Sequence, residues 1–236
     1  WLVLFGDLPE RADTLRMVED AFGGWQSGNG FPEPSDGFPA PGRRVVLVDR
    51  PGSVQTNLLI ARLAIDSKHP EYFPLAVGNT ILGGGASSRL FMNIREKKGY
   101  AYNVGSYVDP QKTGGSFGLY TQVRPEALKD ALTDCLGELE RMADDPVFEQ
   151  ELENVQNYLT GTFVLRMETQ GSLAGQLLAI RLKGLPKDYL ETYSKRVRSV
   201  TRDQIQSVAR TYIHPKDSAI VAVGDAKAVR PALEPF

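Results

Sequence analysis

ILGGGASSRLFMNIREKKGYAY, residues 81–102, is the most informative stretch of this 236-residue chain. Three glycines, Gly83, Gly84 and Gly85, run straight into a charged segment with helical patterning, and Gly99 separates that segment from Tyr100 and Tyr102. Glycine lets a foreign backbone approach closely, and a helix start beside it presents free amide groups. Arg95, near the end of the helical segment, and Tyr102, just beyond the glycine, can turn toward one space. There a guanidinium and a phenol could both donate hydrogen bonds to a peptide carbonyl; the residues alone equally fit a solvated surface cluster, Arg95-Glu96-Lys97-Lys98, beside a sheet-packing tyrosine. The pattern fits a site that grips a peptide, and nothing in it would obviously cut one.

On both sides of this stretch the periodicity alternates between sheet and helix. Residues 43–50 and 54–65 read as strands rich in Val, Leu and Ile, separated by the turn signal Pro51-Gly52. Residues 70–82 and 88–97 read as helices, and residues 101–108 and 115–123 as strands joined by a DPQKTG turn. Pro125 suits the first position of a helix over 125–142. Further helices are expected over 148–166, 172–182 and 187–196. Thr201 with Gln204 forms a capping-box signature ahead of a helix over 205–212, and residues 217–223 return as a strand. Strands at both ends and in the middle, with helices between, imply an α+β fold: an antiparallel sheet covered by helices on one face.

The chain also carries a mark of duplication. Residues 3–7 read VLFGD and residues 221–225 read VAVGD, each a short β-rich run closed by Gly-Asp and followed by helix-compatible sequence. Such a spacing suggests a large repeated unit, of which the chain holds the tail of one copy and nearly all of the next. Trp1 then falls inside a strand-like run. Glycine and proline dominate residues 23–42, GGWQSGNGFPEPSDGFPAPG, which read as a linker or extended loop.

Bulk properties exclude several classes. A net charge of −2 argues against a nucleic-acid partner, and no apolar run is long enough to span a bilayer. Cys135 is the single cysteine, so no intrachain disulfide forms; set among Leu132, Leu136 and Leu139, it reads as a small buried hydrophobe. His69 and His214 each precede a proline and lie in neither H-x-x-E-H nor H-E-x-x-H, so no zinc site is expected from this chain alone. Both read as solvated loop-end residues. The acidic residues between Glu138 and Glu153 read as solvated helix faces. The glycine run could hold a phosphate, but it lacks the GK[ST] of a P-loop.

Three segments together resemble the pitrilysin, insulin-degrading and mitochondrial-processing peptidase family, the inverted-motif zinc metallopeptidases. They are LGGGASSRLFMNIREKKGYAYNVGSY, METQGSLAGQLLAIRLKGLPKDYLETY and VTRDQIQSVARTYIHPKDSAIVAVGD. The resemblance implies duplicated α+β halves: residues 1–23 the tail of a preceding half, 24–42 the linker, and 43–236 a second, non-catalytic half. In that family the first half holds zinc through H-x-x-E-H and a downstream Glu. The second half closes a chamber and offers an Arg/Tyr pair to the substrate. By the spacing R-E-K-K-G-Y-A-Y the pair maps onto Arg95 and Tyr102, and the substrate-guiding glycine loop onto Gly83, Gly84 and Gly85. The resemblance thus implies a chain that binds no metal itself and is inactive alone. Its partners would be a peptide substrate and a catalytic half or subunit that supplies Zn²⁺, in a bacterial cytoplasm or periplasm. Self-association through a face normally covered by the other half is also expected. Two other readings stand beside it. One is a structural or assembly subunit on the same fold, as in respiratory-complex core proteins; the other is an anion-binding module using the glycine loop.

Overall fold

The computed structural model describes residues 1–26, 28 and 42–236. The elements run α1 (Arg11–Phe22), β1 (Arg44–Asp49), β2 (Thr56–Ala64), α2 (Tyr72–Gly83), a π-helical turn (Phe91–Lys97), β3 (Ala101–Pro110) and β4 (Gly115–Val123). They continue as α3 (Leu128–Asp144), α4 (Glu149–Leu165), α5 (Gln170–Lys183), α6 (Tyr189–Arg198), α7 (Arg202–Val208), β5 (Ala219–Gly224) and α8 (Ala226–Leu233). The strands form one five-stranded sheet in the order β1-β5-β2-β4-β3.

Period-two patterning sorts the sheet into two faces. Leu58 and Ile60 of β2, Phe117 and Leu119 of β4, and Ile220 and Ala222 of β5 are buried beneath the helices. Their neighbours Leu59, Tyr120, Val221 and Val223 point to the other side, which no helix covers among the described residues. The helical layer centres on α2, whose Leu75, Val77, Ile81 and Leu82 are almost wholly buried, and on α3, which buries Leu128, Leu132, Cys135, Leu139 and Met142 along one stripe. Each such side chain contributes about 1.5–3 kcal/mol of burial, so this layer is the core.

The α+β fold is as expected, and the sheet is antiparallel except for one pair. β1 runs parallel to β5, which lies between β1 and β2. Pro51-Gly52 therefore closes no hairpin; it carries the chain across the end of β5. Gly52, at φ 76°, donates its N–H to Asp225 Oδ2 at 2.9 Å. Asp225 also accepts from Lys227 N at the start of α8, while Asp49 Oδ1 accepts from Ala226 N. The Gly-Asp signature thus has a local cause: Asp225 caps α8 and ties down the turn.

The same signature at residues 6–7 has a different outcome. Residues 1–5 form no strand, because no strand lies beside them to pair with among the described residues. Helix α1 forms in the helix-compatible sequence that follows but buries no residue, and Leu15, Met17 and Phe22 stay exposed. The expected linker, residues 24–42, lies largely outside the described residues.

A second correction concerns the acidic residues. Glu138 is buried and accepts from Asn93 Nδ2 at 2.7 Å and Arg141 Nη2 at 2.6 Å. Glu151 takes a two-point pair from Arg89, Nε–Oε1 2.9 Å and Nη2–Oε2 2.8 Å, and caps α4 through the Phe148 amide. Neither is a solvated face, because one partner of each, Asn93 for Glu138 and Arg89 for Glu151, arrives from a distant element that helical spacing does not reveal. Burial alone would push the Glu151 carboxyl up, but the Arg89 and Phe148 hydrogen bonds outweigh it and hold it below the usual range. A depressed carboxylate adds stability above its unfolded pKa of about 4.3, and that stability is lost as pH falls through the folded value. Arg89→Ala should cost about 1.5–3 kcal/mol in urea denaturation. Glu151→Gln should flatten the loss of stability with falling pH below about pH 5. An unchanged acid slope would show that the pair contributes nothing.

Candidate functional site

The glycine run begins inside the core. Gly83 is buried where α2 meets β3, and a methyl group there would strike the backbone amide and hydroxyl of Ser106. Beside it, Asn79 Nδ2 donates to Ser106 O at 3.4 Å and Ser106 Oγ donates to Asn79 O at 3.3 Å. Gly84 and Gly85 are exposed, and Gly85 has open space around its Cα. Packing therefore accounts for the first glycine and leaves Gly85 free.

Leu90 and Ile94, both fully buried, peg the next segment to the core, and Asn93 ties it to Glu138 on α3. From Phe91 to Lys97 the helix widens into a π turn, with Lys98 N donating to Asn93 O, a geometry frequent at functional sites. On its outer side the Arg95 guanidinium carbon lies 4.6 Å from the Phe91 ring centroid and 4.8 Å from that of Tyr102. Each contact is worth about 0.5–1 kcal/mol at an exposed site. Two rings thus lie against one cation. Glu96 Oε1 is 3.6 Å from Arg95 Nε, too far for a hydrogen bond.

Tyr102 reaches this position through a β-bulge. Ala101 pairs with Val123 and Val104 with Thr121, so residues 102 and 103 oppose Gln122 alone. Thr121 Oγ1 donates to Asn103 O at 3.0 Å and pins the bulge. Gly99, at φ 65°, makes the preceding turn. Tyr102 ends 83% exposed beside a half-buried Arg95, both with donors available to a ligand.

The structure brings together Arg95 and Tyr102, which sequence spacing had paired, and adds Phe91. An aromatic residue four positions before an arginine is a helical-face signal, but without the π turn it reads as an ordinary core position. No hydrogen bond joins the glycine run to the pair. The donor set does not fit a zinc ion. No group of three His, Cys, Asp or Glu comes together among the described residues. His69 and His214 each spend Nδ1 on the backbone amide two residues on, of Glu71 and Lys216, and both are half-buried rather than solvated. Cys135 is fully buried, and burial pushes its thiol well up, as suits a small hydrophobe.

Residues 2–159 match the sequence family described as the peptidase M16 inactive domain. An uncharacterized zinc protease of Streptomyces coelicolor is 32% identical over 189 residues, covering 79% of this chain and 41% of that protein. An uncharacterized zinc protease of Mycobacterium tuberculosis is 30% identical over 178 residues, 75% of this chain and 40% of that protein. The crystal structure of a peptidase M16 inactive domain from Pseudomonas fluorescens superimposes with a TM-score of 0.81 at 26% identity, over 93% of this chain and 52% of that one. The chain spans about two fifths of the length of the curated relatives it matches.

The two ends of the glycine run should respond differently to a methyl group. Gly83→Ala should destabilise the fold by about 1–3 kcal/mol, since its clash is with backbone. Gly85→Ala, with no positive φ and no neighbour in reach, should be neutral or stabilising by up to about 1 kcal/mol. Equal effects in urea denaturation would mean that packing does not distinguish the two glycines.

Proposed function

Since this chain belongs to the peptidase M16 inactive-domain family, we propose that it is the non-catalytic, substrate-binding half of a zinc-dependent metalloendopeptidase. The observation that carries this reading is Arg95, clamped between Phe91 and Tyr102 and half-exposed. Ring clamping removes rotamer freedom from a long cation, so less entropy is lost when it binds a ligand. The clamped guanidinium and the Tyr102 hydroxyl donate to the carbonyl oxygen of a peptide, where negative charge develops during hydrolysis. The exposed Gly84 and Gly85 admit the peptide backbone, with Gly83 as their anchor.

Zinc, its H-x-x-E-H ligands and the activated water belong in this reading to another half or subunit, and the two halves enclose the peptide. Residues 1–23 are the tail of that preceding half, which is why α1 buries nothing here. Residues 24–42 are the linker and 43–236 the half-domain. The exposed valines of β1, Val45, Val46 and Val48, offer an edge for self-association when the other half is missing. A purely structural or assembly subunit would have no use for a cation held ready with its donors unspent.

In the complete protease, Arg95→Ala should lower kcat by about 10²–10³, the scale for losing one oxyanion donor. A loss below about threefold with folding intact would remove Arg95 from the mechanism and favour the assembly role.

A further inference from the structure

On the sheet face opposite the helical layer lies a groove of ≈ 320 Å³, floored by Leu59, Val221 and Val223 and rimmed by Asn57, Asn103 and Gln122. Asn57 and Gln122 are register partners on β2 and β4, and Asn103 arrives from the same bulge that turns Tyr102 outward. Among the described residues no carboxylate, ammonium, guanidinium or imidazole lines the groove. None of the three carboxamides makes a side-chain hydrogen bond to the protein among the described residues. The floor is apolar, the rim is neutral, and its hydrogen-bonding capacity is unspent.

The surface beside the groove is kept low by two reciprocal tyrosine–glycine pairs. Gly105 on β3 faces Tyr120 on β4, and Tyr107 on β3 faces Gly118 on β4. A Cβ on Gly105 would lie 2.8 Å from the Tyr120 hydroxyl, and one on Gly118 would strike the Tyr107 ring. Each ring therefore lies flat on the backbone of the neighbouring strand instead of standing off the sheet. An extended chain meets no wall there.

We propose that this groove is a subsite for an extended, uncharged stretch of the peptide substrate, a role that rests on the peptide-binding reading above. One apolar side chain sits on Leu59, Val221 and Val223. The carboxamides of Asn57, Asn103 and Gln122 meet the flanking peptide groups, since a carboxamide offers the same donor and acceptor as a peptide bond. A charged side chain is refused because it would leave water with no counter-charge to receive it. Residues 102 and 103 project from one bulge, so a peptide held by Arg95 and Tyr102 continues onto the groove.

The test is a charge exchange at Gln122, an exposed strand position that tolerates substitution. The complete protease is assayed on a peptide set in which each residue in turn is Leu, Glu or Lys. Wild-type enzyme should prefer Leu over both charged residues at one substrate position. Gln122→Lys should raise kcat/KM for Glu relative to Leu at that same position by about tenfold, and Gln122→Glu should do so for Lys. Asn57→Asp, the register partner, should favour Lys at the same position. Preference profiles that do not move with any of the three variants would overturn the subsite. Arg95→Ala measured alongside separates the two readings. A large kcat loss with unmoved profiles sinks the groove alone. Moved profiles with no loss at Arg95→Ala support the groove and sink the role given to Arg95.

Discussion

The end of α2 touches the backbone of β3 at Gly83, and the contact leaves no room for a side chain. Much of the site follows from it. Because helix and strand meet without a spacer, the exposed glycines that follow emerge beside the edge strand β3, and the next segment is pegged to the core by Leu90 and Ile94. Asn79 and Ser106 exchange hydrogen bonds at the same junction, so Asn79 Nδ2 and Ser106 Oγ both find acceptors where the elements lie closest, while Asn79 Oδ1 stays buried without a partner among the described residues. Leu75, Val77, Ile81 and Leu82 then hold α2 in place by burial. A larger residue at position 83 would push apart the two elements between which the loop is strung.

Polar contacts inside the fold hold the segment after the loop. Arg89 reaches Glu151 on α4 and Asn93 reaches Glu138 on α3, on either side of the buried Leu90. Burying a charge is unfavourable unless its partners are well placed, so these pairs fix the segment's position as much as its stability. With its inner side pinned in this way, the π turn presents Phe91 and Arg95 outward to Tyr102. The β-bulge at residues 102–103 supplies the other half of the arrangement. Two local irregularities, one in a helix and one in a strand, therefore meet at the pair of side chains read as functional.

Much of this was legible in the chain. The helices and strands fall close to their expected spans because periodicity and turn residues reflect local backbone preferences. The capping box of Thr201 and Gln204 forms as written, Thr201 Oγ1 accepting from Gln204 N. Cys135 is buried because its neighbours on the helix are leucines. The misreadings share one cause. VLFGD and VAVGD carry the same local signal, yet only the second is a strand, since a strand exists through its neighbours. Glu138 and Glu151 sit in helical patterns like any surface acid, and the partners that tie them to another element, Asn93 and Arg89, lie 45 and 62 residues away. The order of strands was equally hidden: β1 pairs with β5 across more than 170 residues, which makes that one pair parallel.

By itself, then, the sequence determined the element order, the α+β class and the burial of Cys135 among its leucines, and it placed Arg95 and Tyr102 where they can turn toward one space. Spacing, propensity and the apolar period act over a few residues, and they suffice for these. Tertiary structure alone decided that Gly83 serves packing while Gly85 remains free, and that Phe91 completes the clamp on Arg95. It alone assembled Asn57, Asn103 and Gln122, from three different strands, around one apolar floor. Each of those facts depends on a contact between segments far apart in the chain, and such a contact leaves no periodic trace in either segment.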